Sequence, residues 1–388
     1  MKKRICILAF SPVRSDARVL RQVEYLEPHF DLSVIGDGER PPGWGADVTW
    51  HPVTRSGSFR SRLTTLLLLL LGRFVPRLYE LWYWQKRHHR QALTYVMDTP
   101  CDAIHANDWN TLPIAVRGAA KHHAQVVFDA HEYAPLEHSN QRFWRHVISP
   151  MVTYFLRRYS PQVDVSMTVS PPLARRYYEE FNLTPHLILN APKPVTVADH
   201  AVDPDHIRLI HHGAAVRNRR LESMIEAMRF CEARFSLHFM LTGEDTAYID
   251  ELHHLAEKTA PTRIVFHPPV PPGEIVQRIS EFDVGLCMIE PSNFSTEMSL
   301  PNKFFDFMAA GLAICCGPSP AMADIIRQTH CGIVTTSFHP EDAGAALNTL
   351  DGAAIVDLRR AARQAATIFN ADHEMGKLVE LYTSLIAN

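Results

Sequence analysis

The residues best equipped for chemistry lie in Ser299-Leu300-Pro301-Asn302-Lys303-Phe304-Phe305-Asp306-Phe307-Met308-Ala309-Ala310-Gly311. Pro301 suits the first turn of a helix. Phe304, Phe307, Met308 and Gly311 recur at helical spacing, and Gly311 fits a helix stop. Free N–H groups at a helix start attract anions, and Lys303 beside them would add a cation. Asp306, one turn on, could accept hydrogen bonds from sugar hydroxyls. Pattern alone leaves a second reading open, a capped helix with solvated charges. A second cluster is His211-His212-Gly213-Ala214-Ala215-Val216-Arg217-Asn218-Arg219-Arg220-Leu221-Glu222. Gly213 lets backbone approach a ligand closely. The guanidinium forks of Arg217, Arg219 and Arg220 match phosphate oxygens. The alternative is a solvated basic helix start, although arginines are unfavourable there unless an anion compensates.

Three further turns carry polar groups at expected strand ends. His105-Ala106-Asn107-Asp108-Trp109 and Asp129-Ala130-His131-Glu132-Tyr133 each place a histidine beside carboxylates. One reading is substrate hydroxyl binding, with His131 orienting a reacting oxygen; the other is plain loop hydrogen bonding. Thr242-Gly243-Glu244-Asp245 is a further turn of this kind. Ser11 to Arg18 lacks G-x-G-x-x-G, which counts against an ordinary dinucleotide site there. No G-x-S-x-G occurs and no cysteine stands beside a motif histidine, so acyl transfer is unsupported.

The elements that must hold these residues alternate. Arg4–Phe10 reads as a strand, Asp16–Leu26 as a helix and Leu32–Gly36 as a strand. Further strands are expected at 103–105, 126–129, 165–169 and 186–189. Residues 191–205 have no periodicity and read as a linker. The alternation then restarts with a strand from His206, a helix over 221–228, and strands at 237–241, 264–266, 284–289 and 312–316. The expected architecture is α/β, with two Rossmann-like doubly wound domains facing across a cleft: residues 1–190, and residues 206–369. Ligands in such sheets sit beyond the carboxyl ends of the strands.

Length agrees with two domains, at 388 residues. The net charge of −3 gives no global nucleic-acid signal. Seven cysteines lie mostly in apolar runs without a CxxC pair, and 22 histidines form no zinc pattern. Reduced, buried thiols and a cytoplasmic protein without a bound metal are the expectation. The apolar run Ile5–Phe10 reads as a buried strand rather than a signal segment. One stretch departs from the alternation: Leu63 to Leu71 is apolar, arginines flank it, and Trp82-Tyr83-Trp84 follow. It is far shorter than the roughly 20 residues that span a bilayer. Residues 55–90 therefore read as a membrane-surface segment, which would put the protein peripherally on the inner face of the membrane. A core helix with a basic outer face fits the same periodicity.

Taken in order, Gly213…Arg219-Arg220, Leu241-Thr242-Gly243-Glu244, Phe266-His267-Pro268-Pro269-Val270 and Pro301 to Gly311 resemble the retaining glycosyltransferases of family four, which have the two-Rossmann GT-B fold. Asp16 to Arg21, Ile104 to Asp108 and Phe128 to Glu132 are similar to that family's acceptor-side landmarks. The resemblance spans about 4–26 and 100–335. It implies transfer of a sugar from a nucleotide-diphosphate sugar to a glycan or glycolipid hydroxyl, with retention, without metal or other cofactor. Arg219 would hold the donor diphosphate and Lys303 would add a second cation. Asp306 would bind the donor ribose, and Leu300, Pro301 and Asn302 would offer backbone amides. His267 would face the nucleobase and His131 the transferred sugar. Asn107, Asp108, Asp129 and Glu132 would lie on the acceptor side. Met298 stands where the family's Glu-x7-Glu motif has its first acid. The C-terminal helix, within about 370–388, would cross back onto the first domain. A sugar-nucleotide epimerase of the same fold and a non-catalytic nucleotide-sugar-binding partner are the alternatives.

Overall fold

The computed structural model describes residues 2–54 and 62–386. The chain forms two compact units. The first comprises Met1–Leu189, Asn293–Ser295 and Met375–Asn388, the second Asn190–Ser292 and Thr296–Glu374.

The first unit carries β1 (Arg4–Pro12), β2 (Asp31–Asp37), β3 (Thr49–Val53), β4 (Ala103–Asn107), β5 (Gln125–Ala130), β6 (Val165–Thr168) and β7 (His186–Leu187). They make a seven-stranded sheet in the order β3-β2-β1-β4-β5-β6-β7. Every pairing is parallel. Parallel strands covered by helices on both faces are buried throughout, which is why β1 and β4 read as continuous apolar runs. The strand order reverses between β1 and β4, so the carboxyl ends of these two strands flank a natural ligand crevice. The helix Ala17–Leu26 starts just after β1, and the Asp16 side chain caps it by accepting from the N–H groups of Arg18 and Val19. Met375, Leu378 and Tyr382 of the last helix, Ala371–Leu385, join Ile5, Ile7, Val19 and Val23 in one core.

The second unit carries β8 (Ile207–Ala214), β9 (Phe235–Thr242), β10 (Ile264–His267), β11 (Val284–Cys287), β12 (Ala313–Cys316) and β13 (Gly332–Val334). Its six-stranded sheet runs β10-β9-β8-β11-β12-β13, again all parallel. Here the order reverses between β8 and β11. The helix Asn302–Ala309 lies between β11 and β12 in the chain. Pro301 is its N-cap, one position earlier than expected, and no side chain caps the start. Its end is a Schellman turn. Gly311, at φ +67°, donates to the Met308 carbonyl, and Leu312 donates to that of Phe307. Gly311 thus has the role its position suggested.

Two strands escaped the sequence reading. β3 contains His51 and Pro52, and a proline is tolerated because β3 is an edge strand. β13 is only three residues long. The seven cysteines are all free and buried. The basic apolar segment is two helices, Arg62–Gly72 and Arg77–Gln85, and the expected span 55–61 lies outside the described residues. Among the described residues no helix is long and apolar enough to cross a membrane. Tyr83, expected at a lipid headgroup level, is instead fully buried, and its hydroxyl donates to the Asn110 carbonyl at 2.5 Å. Trp82 and Trp84 are half-buried beneath Lys86 and Arg117, each cation 3.7 Å from a ring centroid. Leu67, Leu70, Leu71, Phe74 and Val75 remain exposed, Phe74 at 81%.

Candidate active site

The second unit concentrates its polar groups where the strand order reverses. β8 delivers His211, His212 and Gly213 at its carboxyl end, and the loop after it supplies Arg219. Gly213 sits at φ +114°, a conformation that L side chains rarely adopt. A β-carbon there would also come within 3.4 Å of Lys303 Nζ. The turn therefore calls for glycine, and the amine lies at contact distance from it.

Lys303 is only 6% exposed. Its Nζ lies 2.9 Å from His211 Nε2. Burial draws its pKa down to about 7; nearby Arg219 adds to the fall, while Asp306 opposes it, as Cys287 would only in its thiolate form. Arg219 donates from Nη1 to the Ala214 carbonyl at 3.3 Å, and burial lowers its pKa from the usual arginine range. Among the described residues neither Lys303 nor Arg219 forms an ion pair. A buried amine and a half-buried guanidinium thus stand together without a carboxylate bonded to either, and an anion would satisfy both.

The other two arginines are placed differently from the expectation. Arg217 makes a forked contact with Glu251 at 2.7 and 2.8 Å, reaches Asp245 at 2.9 Å, and lies over the Tyr248 ring. Arg220, at φ +49°, pairs with Glu290 at 2.6 Å. As placed, both belong to exposed surface pairs rather than to the Gly213 turn. Their sequence neighbourhood cannot distinguish them from Arg219, because acidic partners tens of residues away decide the matter.

Asp306 is half-buried one turn into the helix, its Oδ2 3.4 Å from His212 Nε2. Burial, then Lys303, push the His212 imidazole down to about 3, so this contact is not an ion pair. His212 Nε2 is itself buried without a hydrogen-bond partner. A neutral ring nitrogen and a carboxylate facing each other could both engage a hydroxyl. Asn302 is exposed and its Oδ1 accepts from Asn190 at 2.7 Å. Leu300 is buried and anchors the segment before the helix. Glu244 is exposed in the turn after β9. His267, at the end of β10, is half-buried with Nε2 2.9 Å from His238 Nδ1.

In the first unit, Asp129 is the hub. It is fully buried and receives Arg18 Nε at 2.7 Å, Arg18 Nη2 at 2.5 Å and Gln22 Nε2 at 2.8 Å. His105 and His131 approach the same carboxylate at 3.5 and 3.3 Å. Burial alone would raise the Asp129 pKa, but Arg18 and then His131 and His105 overcome it and hold the carboxyl well below the usual range. Asn107 is 3% exposed and exchanges hydrogen bonds with Gln22. Both residues therefore differ from the acceptor-facing role expected of them: with no surface to offer, they orient their neighbours. His131 does keep surface, at 22%, and its Nδ1 lies 3.8 Å from Asp108. Its burial favours the neutral ring, but Asp108 and Asp129 outweigh this and raise its pKa. Burial, then Asp108, raise Glu132 to about 7, and its Oε2 is buried without a hydrogen-bond partner. His131, Asp108 and Glu132 are the groups here that could meet a substrate.

Gln22 and Tyr382 carried no reading in the sequence, and Arg18, His105, His211 and His212 stood inside the quoted runs without an individual role. Arg18 and Gln22 had a usable signal, since they stand four residues apart beside the buried stripe Val19, Val23, Leu26. The contact of His105 Nδ1 with the Tyr382 hydroxyl, 2.6 Å across 277 positions, had none.

Residues 206–351 match the family model of the glycosyl transferases group 1. No curated protein sequence matches the chain. Solved structures do. HepE of Anabaena in complex with UDP superimposes with a TM-score of 0.71 at 14% identity, over 99% of this chain and 100% of that one. Sucrose-phosphate synthase of Thermosynechococcus elongatus gives 0.72 at 13%, covering 100% of both chains. A TarM mutant of S. aureus, in complex with fondaparinux, α-GlcNAc-glycerol and UDP, gives 0.70 at 8%, over 98% of this chain and 99% of the other. The two Rossmann-like units thus match the fold of GT-B glycosyltransferases, and within the second unit residues 206–351 are similar to the glycosyl transferases group 1.

Proposed function

We propose that the protein is a retaining, metal-independent glycosyltransferase that moves a sugar from a nucleotide-diphosphate sugar to a hydroxyl of a lipid-linked or surface glycan. The observation that carries this reading is the meeting of Lys303 and Arg219 at the Gly213 turn, a buried amine and a half-buried guanidinium with no ion-pair partner among the described residues. The structural neighbours bound to UDP and to UDP-glucose support a nucleotide-sugar donor, and the neighbour with glycan ligands supports a glycan acceptor. In this reading the bond from the anomeric carbon to the diphosphate oxygen breaks as the acceptor oxygen bonds to the same face. The acceptor proton passes to the departing oxygen. Lys303, Arg219 and the uncapped start of the helix Asn302–Ala309 stabilise the charge that gathers there. Asp306 and His212 hold donor hydroxyls, and His131 and Glu132 serve the sugar and acceptor side.

Incubation of the pure protein with UDP-, GDP-, dTDP- and ADP-sugars tests this. Donor hydrolysis or transfer is expected with one of them. Isomerisation of the sugar with no release would make the protein an epimerase, and binding without turnover a carrier. Arg219→Ala and Asp306→Ala should each lower kcat/KM by about 10²-fold or more while leaving the circular dichroism spectrum unchanged. Near-normal turnover in both would move the donor site elsewhere.

The exposed cluster Leu67, Leu71 and Phe74, with Arg73 and Arg77 exposed beside it, supports peripheral contact with an anionic bilayer on the cytoplasmic side. Replacing Leu67, Leu71 and Phe74 by glutamate should release the protein from vesicles containing phosphatidylserine in a sedimentation assay. Leu69 must be left alone, because at 4% exposure it is core. Unchanged pelleting would remove this surface from the reading.

A further inference from the structure

We propose that His211 is a positioning residue that holds Lys303 as an amine poised to be charged on binding, so that a phosphate group bound at the Gly213 turn is accompanied by uptake of a proton from solvent by that amine. This rests on the Gly213 turn being the diphosphate site. His211 is fully buried at the end of β8, and its Nδ1 lies 2.8 Å from the Leu286 carbonyl. A carbonyl only accepts, so Nδ1 carries the ring proton and Nε2 keeps its lone pair. Nε2 therefore accepts from Lys303 Nζ, whether that group is –NH₂ or –NH₃⁺. Burial and then the neighbouring Lys303 hold the His211 pKa well below its usual value, so the ring remains a neutral acceptor.

The surroundings of Lys303 decide its charge. β8 presents the neutral rings His211 and His212. The following loop presents the Arg219 cation. β11 presents Cys287, whose thiol is kept protonated by burial. β12 presents only the buried thiols Cys315 and Cys316. Asp306, on the same helix, is the one carboxylate acting on it among the described residues. The helices Ile275–Ile279 and Gly352–Ala366 pack nearby, but Arg278 pairs with Glu281, and Arg359 reaches Asp199 and the Gly311 carbonyl. One partly exposed carboxylate offset by one arginine leaves a buried amine balanced near neutrality, at about 7. A diphosphate supplies the missing countercharge. Its arrival favours –NH₃⁺, and above neutral pH the proton must come from solvent.

The test is calorimetric titration with UDP, GDP, dTDP and ADP, followed by work with whichever binds. Measurements run from pH 7.5 to 9, above the second phosphate titration at about 6. Affinity should fall by up to about tenfold per pH unit, with fractional proton uptake revealed by buffers of different ionisation enthalpy. Lys303→Arg, permanently charged, should bind with no pH dependence and no uptake in this window. His211→Gln keeps an oxygen that can accept from Nζ and should stay within about threefold, whereas His211→Phe should lose about tenfold or more. Should His211→Phe not fold, His211→Gln and Lys303→Arg carry the comparison. Binding that is flat with pH in the wild type, or equal losses in the two His211 variants, overturns the proposal while leaving the diphosphate site standing. Failure of all four nucleotides to bind overturns the diphosphate site and this inference together.

Discussion

Lys303→Met is expected to cost turnover about 10²–10³-fold and, at the same time, to raise the melting temperature of the protein. The two effects share one cause. A charged amine here sits in a buried position to meet a phosphate, and without ligand it lacks a bonded counterion. Folding moves the lysine pKa from 10.5 to about 7. At 1.36 kcal/mol per pH unit this sets an upper limit of about 5 kcal/mol on what the buried lysine takes from stability at pH 7. Methionine removes that cost, but it strands His211 Nε2 as an unpaired buried acceptor, at roughly 1–3 kcal/mol. The net gain should be about 1–3 kcal/mol, or roughly 3–8 °C for a unit of this size. Its pH dependence has a definite sign. Between about 7 and 10.5 the unfolded chain binds a proton that the folded chain does not, so wild-type stability rises with pH across that window. The advantage of the methionine variant is therefore largest below pH 7 and is lost as the pH approaches 10.5. Calorimetric scans at pH 6.5 and 9.5 check it. A lower melting temperature in the variant would show that the lysine is paired and stabilising, against the reading of an open anion site.

Arg18→Ala should be the most damaging single change in the first unit. Arg18 and Asp129 are 5% and 0% exposed, and the guanidinium grips the carboxylate through two nitrogens. Removing one partner of a buried pair leaves the other charge uncompensated, at about 3–5 kcal/mol. For a unit of this size that corresponds to a melting temperature lower by roughly 10 °C. The loss also reaches the site, because Asp129 orients His131 and His105. Arg18→Lys should recover only part of it, since an ammonium cannot reproduce the fork. The Asp129 pKa is held below its unfolded value, so its contribution is present above about pH 4 and fades as the pH falls through the folded value. The variant's deficit should accordingly be largest at neutral pH and shrink in acid, where a protonated Asp129 no longer needs its cation. Denaturant melts at pH 7 and pH 4 measure this. A deficit under about 1 kcal/mol at pH 7 would mean that His105, His131 and Gln22 suffice to hold the carboxylate.

Much of the architecture was legible because its signals are local. Ile5 to Phe10 is an uninterrupted apolar run, as a strand buried on both faces must be. Asp16 precedes a stripe of Val19, Val23 and Leu26 and caps it. Pro301 and Gly311 bracket a helix that differs from the expected one by a single residue. The elements that went unread lack such signals. β3 has its pattern interrupted by His51 and Pro52, and β13 is too short to show any alternation.

The inventory of chemical groups was also in the sequence: Gly213, Arg219, Lys303, Asp306 and His131 could all be named from residue type and position after a strand. Tertiary structure alone sorted them. It separates Arg219 from Arg217 and Arg220 by pairing the latter two with Glu251 and Glu290. It turns Asp129 from a loop carboxylate into a buried hub held by Arg18, 111 positions away. It sets Lys303 on a histidine 92 positions distant and brings its pKa near neutrality. Periodicity and capping report on neighbours a few residues apart, so they determined where strands and helices form. Charge state and exposure depend on desolvation and on partners brought together only by the fold, so the character of each site residue was decided there.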